Sequence, residues 1–269
     1  MDKLIFEKEN CERIHAVENS FGPSGEQLCK PGRVLMGEGR LMKQGRKKQQ
    51  PKAFFLFNDV LVYGSIILNG HWHKKQKIIP LEDIQLENME DSDGFKHQWL
   101  MRTPSKSFFV SASSAEDKQA WIEHIQECQS RLLQDGGRQP GSAFAMTWIP
   151  DHAAQKCMRC LGKFTATNRR HHCRRCGFVV CNACSKERAV IGHIHATKRL
   201  RICKFCHQTR QRGGSTYSNG SSEEEEVIPF SQEEEDEELQ NHMPSKWLDS
   251  RLGSWGNRTR TSSSVSTTT

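Results

Sequence analysis

The chain reads as an α+β multidomain protein. A seven-stranded antiparallel β-barrel or sandwich is closed by one C-terminal helix, a small cysteine-braced module follows, and an acidic tail ends the chain. Three observations carry that reading. Seven short stretches rich in β-branched and aromatic residues crowd residues 34–112, separated by turn dipeptides such as Asn58-Asp59 and Asn69-Gly70. Eight of the eleven cysteines form four C-x-x-C pairs between residues 157 and 206. Charge is also partitioned: residues 1–147 hold 20 Lys/Arg against 19 Asp/Glu, residues 148–212 hold 15 against 2, and residues 213–269 hold 4 against 11.

The first 31 residues are mixed and polar. Ile14, Val17, Glu18 and Phe21 sit at helical spacing and predict a short terminal helix that Gly22-Pro23 ends, packed on the next domain. The strands expected after it are Val34–Lys43, Ala53–Asn58, Val60–Ile67, Gln76–Leu81, Ile84–Asn88, Gln98–Thr103 and Ser107–Ala112, within a domain spanning 32–133. The period then switches. Ser114-Ala115-Glu116-Asp117 resembles a capping box, and Trp121, Ile125, Cys128 and Leu132 form one apolar stripe that would plug an open barrel end. Residues 134–147, with Gly136-Gly137, Pro140 and Gly141, read as a linker. From residue 213 onward Gly, Ser and Asn give way to two acidic blocks, Glu223–Glu226 and Glu233–Glu238. Such a segment buries too little apolar area to offset its ordering entropy, so a disordered tail is expected over 213–269. Trp247, Leu248, Leu252 and Trp255 near its end are either a partner-binding peptide or part of that disorder.

Bulk composition excludes several classes. The chain is 35% hydrophobic and no run approaches the ~20 apolar residues of a membrane span. Charged residues occupy the N-terminus where a secretory leader would be apolar, so a cytoplasmic protein is expected. In that reducing compartment paired cysteines point to metal rather than disulfides.

The cysteine spacing is C-x2-C-x12-C-x2-C-x4-C-x2-C-x18-C-x2-C. Each pair can present two sulfurs to one tetrahedral zinc, so the four pairs predict two sites. Four residues between the second and third pairs are too few for one finger to finish and another to begin. The ligands should interleave: Cys157, Cys160, Cys181 and Cys184 on one Zn²⁺, and Cys173, Cys176, Cys203 and Cys206 on the other. All eight positions are used, so both zincs should be structural, forming a cross-brace that replaces much of the core a ~60-residue module cannot build.

A basic run is stitched into this frame. Arg169, Arg170 and Arg174 straddle His171-His172, and Arg201 precedes Cys203 by two residues. Guanidinium forks suit phosphate, and the histidines add donors that titrate near neutral pH. Trp148-Ile149-Pro150-Asp151 resembles the W-x-x-D of the FYVE zinc finger, Arg169–Gly177 its R-R/K-H-H-C-R-x-C-G core, and Arg201-Ile202-Cys203 its R-V-C. The resemblance over Trp148–Cys206 implies binding of phosphatidylinositol 3-phosphate. It assigns Arg170, Arg174 and Arg201 to the 3-phosphate, Arg169 to the 1-phosphate, Asp151 and His172 to inositol hydroxyls, and His171 to support of the pocket. The stretch Phe164–Asn168 carries small or polar residues where that family inserts an apolar loop into the bilayer, so weak insertion is expected.

Seven strands and a helix bearing Trp121 resemble a pleckstrin-homology (PH) domain. In that family the loop between the first two strands holds phosphoinositides, and here it carries Lys43, Arg46, Lys47, Lys48 and Lys52. Lys43 and Lys52 match the family's first two basic positions, while Phe54 stands where a third is expected. PH domain, FYVE finger over 148–212 and acidic tail, in that order, resemble the phafin family. This implies a non-enzymatic adaptor in endosome traffic and autophagy, peripheral on early endosomes and lysosomes, whose partners are phosphoinositide membranes and trafficking or autophagy proteins. A RING-like ubiquitin ligase would also interleave two zincs, but it usually mixes His into its ligands and shows an apolar docking face. A zinc-dependent nucleic-acid reader would explain the positive charge, yet no spaced stacking aromatics or recognition helix are seen, so no nucleic acid is expected. No phosphate-cradling Gly loop, nucleophile elbow or open metal position suggests an enzyme.

Overall fold

The computed structural model describes residues 3–45, 48–67, 72–91, 96–138, 143–212, 245–249 and 254–256. Helix α1 (Lys3–Ser20) precedes seven strands: β1 (Leu35–Gln44), β2 (Gln49–Phe57), β3 (Val60–Ile67), β4 (Trp72–Pro80), β5 (Gln85–Asn88), β6 (Gln98–Arg102) and β7 (Phe108–Ser111). Helix α2 (Ala115–Gln134) follows. The strands pair antiparallel in the order β4-β3-β2-β1-β7-β6-β5. Strand β1 is the seam between the two halves. It pairs with β2 from Leu35 to Gln44 and with β7 at Met42 and Lys43.

The predicted stripe on α2 closes the barrel. Trp121, Ile125 and Cys128 pack with Leu41, Phe54, Leu61, Trp99 and Met101 in one core, with Leu132 at its edge. The Ser114 hydroxyl caps the helix by accepting from the Asp117 amide at 3.1 Å. The terminal helix starts earlier than its apolar spacing suggests, at Lys3, but the predicted face is the buried one. Ile14, Val17 and Phe21 join Leu28, Leu35, Phe55, Phe57 and Val62 in a second core. A sheet buried on both sides explains the unbroken apolar run Phe54–Phe57, all four residues of which are buried. Gly64 admits the helix terminus, because a Cβ there would sit 2.4 Å from the Phe21 ring.

The linker end is not free. Ala145 is buried, its amide donates to the Thr103 carbonyl at 3.0 Å, and its carbonyl accepts from the Ser107 hydroxyl. The cysteine module follows with β8 (His171–His172) on β9 (Val179–Val180), β10 (Arg188–Ile191) on β11 (His195–Arg201), and helix α3 (Lys204–Arg212). Its core is mostly cysteine, with Val180, Ala189 and Ile202.

The expectation of a disordered tail needs correction at its far end; residues 213–244 lie outside the described residues. Strands β12 (Lys246–Asp249) and β13 (Ser254–Gly256) form a hairpin, and β12 pairs with β1 through Gly37 and Glu38. Trp247 is 5% exposed and lies edge-to-face on Trp121 at 4.8 Å and stacked on His124 at 4.1 Å. The Trp121 indole N–H donates to the Ser245 hydroxyl at 3.0 Å. Strand β1 is shaped for this guest. A Cβ at Gly37 would lie 2.3 Å from the Trp247 ring, and one at Gly39 would lie 2.2 Å from the Ser245 hydroxyl. The pairing escapes a reading of the sequence because its signal lies in two small residues about 200 positions upstream of the indole.

Candidate functional site: a thiol-braced basic face and an adjoining lysine cleft

The thiols gather in two groups, Cys157/Cys160/Cys181/Cys184 and Cys173/Cys176/Cys203/Cys206, each with sulfurs within 4.8 Å of one another. Backbone amides point at them: Cys181 N–H donates to Cys157 Sγ at 3.3 Å and Cys203 N–H to Cys173 Sγ at 3.2 Å. The Cys176 thiol donates to Cys173. Against the effect of burial, the amides of Cys176, Cys203 and Arg175 add to that bond and pull Cys173 down to about 4. Four sulfur donors, with amides that favour thiolate, fit tetrahedral Zn²⁺. Arg159 is an outer partner that the spacing does not reveal. Its guanidinium lies between the Phe178 and Phe205 rings, 4.6 Å from each, with a nitrogen 3.6 Å from Cys176 Sγ. There it offsets part of the thiolate charge.

The brace places the basic run on β8 and against β11. Pairing of His171 with Val180 and His172 with Val179 sends the two imidazoles to opposite sides. His172 is buried, stacked on Trp148 at 4.9 Å, with Nε2 donating to the Ile149 carbonyl at 2.8 Å and lying 3.6 Å from Asp151 Oδ1. His171 is half-buried. Burial, then Arg201, Arg188, His172 and Arg169 around it, lower its pKa. Arg188 is absent from the expected set. It stands opposite Arg201 across the β10–β11 pair. Arg201 reaches the site because the Arg174 amide donates to its carbonyl at 2.9 Å. Its guanidinium is held by the Ser185 carbonyl at 2.8 Å and Asn182 Oδ1 at 2.9 Å. Two expected residues turn aside. Arg174 lies 4.0 Å over the Trp148 ring, and Arg170 lies 4.9 Å over Phe164 and donates to the Ala154 carbonyl.

A cleft of about 250 Å³ opens at the end of the β-barrel, lined by Lys43, Lys52, Lys75, Lys77 and Lys106 and, across from them, Trp148, Ile149 and Pro150. Of the expected lysines, Lys43 and Lys52 line it. Lys48 is exposed and lies outside the lining, and Arg46 and Lys47 lie outside the described residues. Phe54 is fully buried against Tyr63 and Trp121. Lys75, Lys77 and Lys106 lie outside the expected set because they come from β4 and the β6–β7 turn. A basic run, Lys74-Lys75-Gln76-Lys77, was the available signal. Lys75 is aimed by a β-bulge: Tyr63 pairs with Lys77 and Ser65 with Lys74, leaving Lys75 and Gln76 opposite Gly64. Lys75 adopts φ +57° there. Lys43 lies 4.0 Å over the Phe108 ring, and burial, Lys106 and Lys52 together push it down to about 7. A cluster of cations sharing one cleft is chemically suited to an anion. The two sites share a wall, since Lys106 and Arg174 both lie over Trp148, at 5.1 and 4.0 Å.

This barrel and this thiol-braced face define a PH domain joined to a FYVE zinc finger. Residues 34–130 match the model of the PH domain and residues 147–212 that of the FYVE zinc finger. "Pleckstrin homology domain-containing family F member 1" of Rattus norvegicus is 50% identical over 209 residues, 77% of this chain and 75% of that protein. Member 2 of the same family from Homo sapiens is 46% identical over 79% of this chain and 86% of that protein. The solution structure of the LM5-1 FYVE domain from Leishmania major is 39% identical, covering 26% of this chain and 83% of that one at a TM-score of 0.24. The chain belongs to pleckstrin homology domain-containing family F, the phafins. Its domains are those of phosphoinositide-binding membrane adaptors, with zinc bound in the FYVE finger, and neither matched family is catalytic. Among the described residues no helix is long and apolar enough to cross a membrane.

Proposed function

We propose that the chain reads phosphatidylinositol 3-phosphate on early endosomes, and on lysosomes, as an adaptor in endosome traffic and autophagy. The FYVE finger carries two structural Zn²⁺ ions, one per thiol group, and the PH domain adds a second phosphoinositide contact. The observation that carries this reading is the cross-strand pairing of Arg188 with Arg201 on the thiol-braced face, tied to the Arg169–Arg174 run by the Arg174 amide donating to the Arg201 carbonyl at 2.9 Å. Arg170, Arg174 and Arg201 take the 3-phosphate and Arg169 the 1-phosphate. For Arg170 and Arg174 this requires rotation off their aromatic rests, which long side chains do at a cost of about a kcal/mol each. Asp151, beside buried His172, accepts from inositol hydroxyls and repels further phosphates at those positions. In the PH cleft, Lys43 and Lys52 engage a headgroup phosphate. Two modest sites on a shared wall gain affinity through effective concentration.

The test is sedimentation of the full chain with vesicles carrying one phosphoinositide at a time. Binding should favour the 3-monophosphate and fall at least tenfold in Arg201→Ala. Equal binding to vesicles of every phosphoinositide, or to vesicles without one, would refute the assignment. Autoubiquitination with an E2 tests the RING reading directly.

A further inference from the structure

Outside both sites, Cys11, His15 and Cys29 bring two sulfurs and an imidazole nitrogen within 4.8 Å of one another. Cys11 and His15 are four residues apart on α1 and share a face, while Cys29 comes from the segment leading to β1. The Cys11 and Cys29 sulfurs are 3.5 Å apart. The sulfurs of the zinc finger are 3.8 Å apart for Cys160 and Cys181 and 4.0 Å for Cys176 and Cys203. Zn–S bonds of about 2.3 Å at a tetrahedral angle require roughly 3.8 Å, so all three pairs lie near that spacing.

The outer groups are already arranged. Glu18 Oε2 accepts from His15 Nδ1 at 2.6 Å, which fixes the tautomer and leaves the lone pair on Nε2. Glu18 Oε1 accepts from the amides of Leu28 and Cys29, the latter at 2.7 Å. One carboxylate therefore orients the imidazole and anchors the loop that carries the second thiol, as carboxylates do behind metal-bound histidines. It also adds negative charge, which favours a cation over a reactive thiolate. We propose that Cys11, His15 and Cys29 form a third metal site, distinct from the zinc finger, that takes a thiophilic divalent ion such as Zn²⁺. Three protein ligands and an exposed imidazole leave the fourth position to water, and the ion staples α1 to the segment ahead of β1.

The test counts zinc on the reduced full chain by native mass spectrometry. Cys29→Ser and, separately, His15→Ala should each lower the count by one ion per chain. The reading is a difference, so it stands or fails independently of how many ions the finger holds. His15 is exposed, so its replacement should leave the helical signal at 222 nm unchanged and separate metal loss from unfolding. Equal counts in wild type and variants overturn the proposal. So does a wild-type chain that excludes the metal because Cys11 and Cys29 are joined as a disulfide.

Discussion

Lys43 shows how a single residue can be chosen against stability. Its ammonium is buried over Phe108, beside Lys52 and Lys106, and is pushed from 10.5 down to about 7. A group with a depressed folded value contributes no penalty above its unfolded pKa and an increasing one as pH falls toward the folded value. Lys43→Met should therefore stabilise the fold by about 2 kcal/mol at pH 7, after allowance for the lost aromatic contact. That advantage should grow between pH 10.5 and about 7 and then level off, read by urea denaturation at a series of pH values. The same variant should bind phosphoinositide vesicles more weakly. A stability gain without a loss of binding would remove Lys43 from the lipid site. The sequence shows that Lys43 is cationic and faces a loop; it does not show that Lys106, 63 positions away, shares its space.

At the scale of elements, legibility follows the range of the forces involved. The seven strands and α2 are readable because alternation and capping are local. The interleaved thiols are readable because a spacer of four residues forbids the alternative. The β12–β13 hairpin is not, because its complement is the pair Gly37 and Gly39. Two results should follow. Trp247→Ala should cost about 3–5 kcal/mol of PH-domain stability, as for other buried large-to-small changes. Gly37→Ala should displace the same indole, so the double variant should cost clearly less than the sum of the two singles. Additive effects in thermal unfolding would mean that the hairpin does not rest on β1. In the finger, chelation should abolish β8–β11 while leaving β1–β7 folded. The core there is largely cysteine, and metal binding supplies the folding energy. Amide exchange before and after chelator would resolve the two regions.

For the whole molecule the decisive contact is Trp148, which stacks on His172 of the finger and receives Lys106 of the barrel. With Ala145 bonded to Thr103 and Ser107, the finger enters on a short, anchored lead. Trp148→Ala should weaken vesicle binding by the full chain more than the isolated loss of one site predicts, because the shared wall goes with it. If affinity falls no further than in Arg201→Ala, the domains act independently. Domain order and charge partition were visible in the sequence, but this seam was not, since a Trp before an Asp motif reads only as part of the finger. Binding should also fall steeply with salt, as expected where 15 cations oppose 2 acids over residues 148–212.

The slot on β1 bears on laboratory practice. Shortening the protein after the finger strips Ser245 from the Trp121 indole N–H and bares a greasy furrow beside Gly37. Preparations trimmed in that way should clump, take up hydrophobic dyes, and report the behaviour of an injured surface. A fusion tag belongs past residue 256, where it leaves the furrow filled.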